Sequence, residues 1–171
     1  HTKIENCYQQ FDIPKKSGGI RKINAPIGYL KLVQRKLSRV ILERLDEINK
    51  QYTIEHKIAH AYFKKRSIKT NALPHRNKKY LVNVDLKDFF DTIHFGRVQG
   101  FFKQNKYFKL PDEIATIIAQ LSCYHGKLPQ GAPTSPVISN LICQILDYKI
   151  LQLCKKYRLI YTRYADDLTF S

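Results

Sequence analysis

Arg163-Tyr164-Ala165-Asp166-Asp167-Leu168-Thr169 is the stretch on which the reading of this chain turns. Apolar and β-branched residues flank it, Leu159-Ile160-Tyr161-Thr162 before and Leu168-Thr169-Phe170-Ser171 after. The pattern predicts strand, tight turn, strand, with Ala165-Asp166-Asp167 as the turn. Two adjacent carboxylates repel each other unless a cation shares them, and hard divalent ions such as Mg²⁺ take oxygen ligands of this kind. Asp also suits turns for a structural reason, because it hydrogen-bonds its own backbone. On the pair alone, both readings stand.

Upstream, the sequence predicts a helix from Val137 to about Tyr157 with Ile138, Leu141, Ile142, Ile145 and Leu146 on one side. Before it lies a Gly- and Pro-rich loop, Gly126 to Pro136, containing Gln130-Gly131. Two more helices are predicted, one around 94–104 and one from Pro111, placed as a first-turn proline, to about Tyr124. Tyr80-Leu81-Val82-Asn83-Val84-Asp85-Leu86 reads as a strand that delivers Asp85 at its carboxyl end. Asp88 is expected to cap a helix start and Asp91 to be a surface charge, neither of them a metal ligand. Asp85 and Asp166 are 81 residues apart, enough for helices to cross over and set their strands side by side.

The first part of the chain differs in charge. Of the 171 residues, 30 are Lys or Arg and 14 Asp or Glu, a net +16. Residues 1–80 hold 19 of the cations against 6 acids, whereas 81–171 hold 11 against 8. With an isoelectric point near 9.8, this excess implies a polyanionic partner. Phe11 to Ile23 alternates around Ser17-Gly18-Gly19, which predicts a hairpin with a flexible basic turn. Leu30, Val33, Leu37, Ile41, Leu45 and Ile48 then recur at helical steps over about five turns. Most of the cations on that helix, Lys31 and Arg35 among them, are read as a solvated face.

Residues 51–79 are the least regular. His60 to Ala72 interleaves aromatics, cations and small hydrogen-bonding groups, the mixture that serves a nucleic-acid backbone and its bases. Its candidates are Tyr62, Lys65, Arg66, Ser67 and Asn71. Four cysteines without metal spacing are read as free thiols in a reducing cytosol. No apolar run is read as long enough to span a membrane. The chain has no Met and ends inside a predicted strand, so a piece of a longer protein is expected.

A strand-end Asp, a Gln-Gly loop and a hairpin Asp pair suit in-line displacement at phosphorus assisted by two divalent ions. In this order they resemble the reverse transcriptases, and among them the bacterial retron type. Asp85-Leu86-Lys87-Asp88-Phe89-Phe90 is similar to the first catalytic motif of that family. Leu128-Pro129-Gln130-Gly131-Ala132-Pro133-Thr134-Ser135-Pro136 is similar to its nucleotide loop in retron wording, since group II intron enzymes tend to carry a second glycine at Ala132. Tyr164-Ala165-Asp166-Asp167 is similar to its catalytic box. Pro14 to Arg21 resembles the fingers hairpin, and Arg66-Ser67-Ile68-Lys69-Thr70-Asn71-Ala72 a retron segment.

The resemblance implies an α+β right-hand polymerase fold: a palm with an antiparallel sheet packed on helices, plus a basic fingers lobe, with no thumb in this chain. Fingers are expected over 1–79 and an incomplete palm over 80–171. It implies that Asp85, Asp166 and Asp167, with the Leu86 carbonyl, serve two Mg²⁺ ions, Mn²⁺ being a possible substitute. Lys15, Lys16 and Arg21 would hold the incoming triphosphate, and Gln130 and Gly131 would lie against the nucleotide. Phe90 would crowd a ribose 2′-hydroxyl, which implies DNA synthesis; by position it is equally an ordinary core aromatic. Tyr164 would support the primer end or the turn. The implied activity is RNA-directed DNA polymerase, in the cytoplasm, acting on dNTPs and an RNA–DNA hybrid. A structured non-coding RNA as template and primer and an antiphage effector protein are the implied partners. Rival readings are a group II intron or other defence-associated reverse transcriptase, and a catalytically silent RNA-binding fragment. An RNA-directed RNA polymerase is disfavoured by Phe90.

Overall fold

The structure, a computed structural model, describes residues 4–15, 18–52 and 58–171. The predicted hairpin forms from β1 (Tyr8–Pro14) and β2 (Ile20–Pro26), paired antiparallel from Tyr8 opposite Pro26 to Pro14 opposite Ile20. Its base is tied down by the buried Tyr8 and Pro26, while Phe11, Ile13 and Ile20 are exposed, so the outer half projects from the body.

The first helix, α1 (Gly28–Tyr52), has 25 residues, about seven turns where five were predicted. Leu30, Ile41, Leu45 and Ile48 are buried as expected, but the middle of the buried face is polar: Gln34 and Ser38. The reason is specific bonding. The Gln34 amide donates to the Tyr8 hydroxyl at 2.8 Å and to the Leu121 carbonyl at 2.7 Å. The Ser38 hydroxyl reaches the Pro133 carbonyl at 2.9 Å. Val33 and Leu37 are displaced to partial burial. Residues 58–79 are more regular than their sequence implied, with a short helix α2 (Ile68–Ala72) opened by a reciprocal cap between Ser67 and Thr70.

Three helices build the core with α1. α3 (Phe95–Gln104) packs on α4 (Asp112–Ser122), where Ala115 and Ala119 lie one turn apart and fully buried. Phe102, Val98, Ile138 and Leu141 fill the centre. Pro111 proves to be the residue before α4 rather than its first turn. Asp88 is no helix cap: it has φ +50°, residues 87–93 form turns, and α3 starts only at Phe95 behind His94. Asp91 is the expected surface charge, paired with Lys127 at 2.8 Å.

α5 (Thr134–Tyr157) begins three residues before the predicted Val137. Pro136 sits in its first turn, where no intrahelical N–H is needed. Ile138, Leu141 and Ile142 are buried, but Ile145, predicted on the same side, is 58% exposed. By length and composition α5 would qualify to cross a membrane, contrary to the sequence reading. Half of that apolar stretch is buried inside the fold, and Asp147 on it is ion-paired there.

β3 (Val82–Asp85), β4 (Tyr161–Tyr164) and β5 (Asp167–Phe170) form an antiparallel sheet in the order β3-β5-β4. The register sets Asp85 opposite Asp167 and Val84 opposite Leu168 on one side of β5, and Tyr164 opposite Asp167 and Arg163 opposite Leu168 on the other. Alternation then divides the faces. Tyr161, Arg163 and Leu168 are buried, whereas Val82 and Val84, on the same face of β3, are exposed at 56% and 45%. Ala59 bridges Arg163 in parallel along the outer edge of β4, through His60 N–H to the Arg163 carbonyl at 2.8 Å and Arg163 N–H to the Ile58 carbonyl at 2.9 Å.

Candidate active site

The turn between β4 and β5 has two residues, Ala165 and Asp166, not three, because Asp167 is already the first residue of β5. Ala165 takes a left-handed φ of +57°, which costs a non-glycine residue roughly 1–2 kcal/mol. Leu86 N–H donates to the Asp166 carbonyl at 3.1 Å, tying the turn to the end of β3. Asp85, Asp166 and Asp167 thus come together, with Asp85 and Asp167 directly opposed. Like charges so placed are destabilising. The Asp167 carboxyl is pushed above its usual range by burial first and then by the charges of Asp166 and Asp85.

The donor set of three carboxylates and a nearby backbone carbonyl suits a hard divalent cation. Its members do not yet close on one point: among the described residues no three carboxylate, imidazole or thiol groups converge tightly enough to grasp an ion as the side chains stand.

In front of Asp166 lies a cleft of about 490 Å³ between the hairpin, α1 and the Gln-Gly loop. Arg21, Tyr62, Phe90, Gln130 and Gly131 line it. Two residues that the sequence reading left on a solvated face also line it, Lys31 and Arg35. They are four apart on α1 and so share a side; their spacing immediately after a basic hairpin was the available signal. Tyr62 stands at φ +64°. Its phenol is pushed up by burial and then by Asp166 and Tyr164, with Arg21 and Arg163 opposing. Tyr62 thus shares the cleft with Arg21 and Asp166.

The loop is welded to the hairpin. Asn24 N–H donates to the Gln130 carbonyl at 2.8 Å. Gly131 has φ +107°, and a Cβ there would stand 2.7 Å from Ile23 Cγ2. The close approach this glycine permits is therefore to β2.

Other predicted residues lie elsewhere. Lys15 is exposed at the hairpin tip, where its N–H donates to the Gly19 carbonyl at 3.0 Å, and it does not line the cleft. Lys16 falls outside the described residues. Lys65 is exposed at φ +62°. Arg66 donates to the Ala59 carbonyl and stacks over Phe63 with 5.6 Å to the ring centre. Ser67 is engaged as the α2 cap. Asn71 is buried under β4, its carbonyl accepting from the Thr162 hydroxyl at 3.4 Å. Tyr164 is half-buried beside Asp167, and Leu86 packs toward Tyr161 and Leu168.

One group missed by the sequence reading is Arg163. It is fully buried and forks onto Asp147 through Nε at 2.8 Å and Nη2 at 2.7 Å. Burial pulls its guanidinium pKa down, but the hydrogen bonds and charge of Asp147 outweigh that and leave it raised.

The reverse transcriptase (RNA-dependent DNA polymerase) family matches residues 13–171. The chain belongs to that family. The retron Mx162 reverse transcriptase of Myxococcus xanthus is 38% identical over 191 aligned residues, covering 100% of this chain and 37% of the relative. The retron Ec86 reverse transcriptase of Escherichia coli is 38% identical over 166, covering 96% and 48%. The retron Ec73 reverse transcriptase of Escherichia coli is 37% identical over 174, covering 95% and 52%. The chain thus spans about two-fifths to half the length of these relatives. As a reverse transcriptase chain of retron type, it has the right-hand polymerase fold, and the three-stranded sheet with its carboxylate turn is the palm element of it. Reverse transcriptases generally use divalent metals.

Proposed function

We propose that the protein is an RNA-directed DNA polymerase whose nucleotidyl-transfer site is the carboxylate turn and the cleft before it. The observation that carries this reading is Asp85 directly across from Asp167, beside Asp166, at a cleft lined by Arg21, Lys31 and Arg35. The three cations offset the charge of a triphosphate, and the arginines can fork onto its oxygens. Lys15 and Lys16 would add positive charge for the same triphosphate. Gln130 and Gly131 flank the nucleotide, and Phe90 crowds its 2′ position and selects deoxynucleotides.

Asp85, Asp166 and the Leu86 carbonyl are the residues that would hold the metal, with Asp167 as a further ligand or close electrostatic support. Two divalent ions there, Mg²⁺ or Mn²⁺, would supply activation of the attacking hydroxyl and charge stabilisation at the leaving pyrophosphate. Of the set proposed to meet template and primer, Tyr62, Lys65 and Ser67 are exposed, Arg66 and Tyr164 are half-buried, and Asn71 is buried. The fingers are residues 1–79 and the palm 80–171. Similarity to retron enzymes supports a cytoplasmic protein that copies a dedicated structured RNA and serves antiphage defence with an effector protein.

The test is primer extension on an RNA template by the intact protein with Mg²⁺. Asp166→Asn with Asp167→Asn should abolish it and leave RNA binding in place; full incorporation by that variant refutes the mechanism. The DNA that co-purifies should be short and joined to RNA through a branched linkage. Co-purifying intron RNA points instead to a group II enzyme.

A further inference from the structure

Arg163 stands three residues before Asp166 and is, among the described residues, the bulkiest side chain with no exposure. Neutralising its charge requires only Asp147, which the fork through Nε and Nη2 achieves. The remaining nitrogen does something else. Nη1 donates to the Ala165 carbonyl at 3.0 Å and to Asn140 Oδ1 at 3.1 Å. Asn140 in turn donates through Nδ2 to the Ala61 carbonyl at 2.8 Å. The two carbonyls belong to the peptide units that deliver Asp166 and Tyr62. Each unit adjoins a non-glycine residue in left-handed conformation, Ala165 at φ +57° and Tyr62 at φ +64°. Such conformations persist where the surroundings over-determine them. Tyr161 anchors the far side, its hydroxyl donating to Asp147 Oδ1 at 2.8 Å.

We propose that Arg163 is a positioning residue that, through the Ala165 carbonyl and Asn140, fixes Asp166 and Tyr62 relative to each other and so preorganises the site for nucleotidyl transfer. This rests on the polymerase reading above. Asp147 is its charge partner and the source of its orientation. A lysine could satisfy Asp147, but it has no planar fork with a third nitrogen left for the turn.

The discriminating variant is Arg163→Met with Asp147→Leu in the intact protein. Replacing both partners leaves no unpaired buried charge, and such exchanges are often tolerated. Its fold is read by thermal melting. Function is read as kcat and KM for dNTP incorporation, and turn position by hydrogen exchange of the Leu86 amide, which bonds the Asp166 carbonyl without substrate or metal. The expected result is a folded variant whose melting temperature falls by about 3–12 °C, the share of the Tyr161 hydrogen bond that Asp147→Leu also removes. With it, kcat falls about tenfold to a hundredfold, as small misplacements do, KM stays near parental and Leu86 exchange is faster by about tenfold. A folded double variant with parental kcat and parental Leu86 exchange overturns the proposal. Should the double variant not fold, Arg163→Lys gives the same readouts: a kcat loss with faster exchange supports positioning, and parental values refute it. If the parent itself does not extend primers, the polymerase reading fails, and Leu86 exchange still decides whether Arg163 holds the turn.

Discussion

Gly131→Ala is a sharp test of how the Gln-Gly loop is held. The substitution adds one methyl group to a residue at φ +107°, which stands 2.7 Å from Ile23 Cγ2 and 3.4 Å from the Asn24 carbonyl oxygen. A β-branched side chain is stiff at that carbon, and the second neighbour is backbone, so neither retreats cheaply. The conformation itself costs an L residue about 1–3 kcal/mol. Overpacking adds about 1–3 kcal/mol, and the stiffer unfolded chain offsets about 0.4–1 kcal/mol. The net expectation is a destabilisation of about 2–4 kcal/mol, a fall in melting temperature of about 5–15 °C for a chain of this size. Circular dichroism melts of the parent and variant measure it. Repeating the substitution in an Ile23→Ala background removes the steric share, so the penalty should shrink by about 1–2 kcal/mol while the backbone share persists. A melting temperature within 2 °C of the parent, or an identical penalty in both backgrounds, would refute the weld between loop and hairpin.

Phe90→Ala should raise ribonucleotide incorporation relative to deoxynucleotide in primer extension; unchanged rejection returns Phe90 to the core, where its ring lies 5.2 Å from Phe89. Tyr161→Phe removes a hydrogen bond to the Asp147 carboxylate, so denaturant titration should show a loss of about 1.5–3 kcal/mol. Phe102→Ala, at a fully buried position, should cost about 3–5 kcal/mol by the same titration. Burial and then Lys78 hold the His75 pKa below its ordinary value. Below about pH 6.5 the unfolded chain therefore takes up a proton that the folded one resists. Stability should fall as pH drops through that window, and His75→Gln should flatten the fall; an unchanged slope shows that other groups dominate it.

The meeting of Asp85, Asp166 and Asp167 was readable because strand ends and a tight turn are written in the local pattern of residues. The Gln-Gly loop was readable because proline and glycine punctuate it. What escaped was whatever depends on a partner distant in sequence. Arg163 was quoted within the decisive motif, but its meaning lies in Asp147, sixteen residues earlier on a helix read only for its apolar side. Gln34 and Ser38 interrupt a hydrophobic period, and only the positions of Tyr8, Leu121 and Pro133 explain why they are buried. Lys31 and Arg35 could be sorted from the other α1 cations only once the helix was laid against the cleft. Pro136 was read with the loop, although the first turn of α5 accepts it, and Ile145 was placed with the apolar side of α5, although it is exposed in an open groove beside Gly100 and Gln104 of α3.

The palm sheet has a side with consequences for the protein in solution. β3 ends the order β3-β5-β4, and among the described residues no strand pairs with its outer edge. Leu81, Val82 and Val84 are all substantially exposed there. An open row of backbone donors and acceptors bordered by apolar side chains is a template for adding another strand. The segment's own lysines, Lys78, Lys79 and Lys87, flank this row rather than interrupt it. Concentrating this polypeptide should therefore drive edge-to-edge association before the carboxylate site itself is disturbed, and a charged residue at Val82 is the substitution that would keep it dispersed.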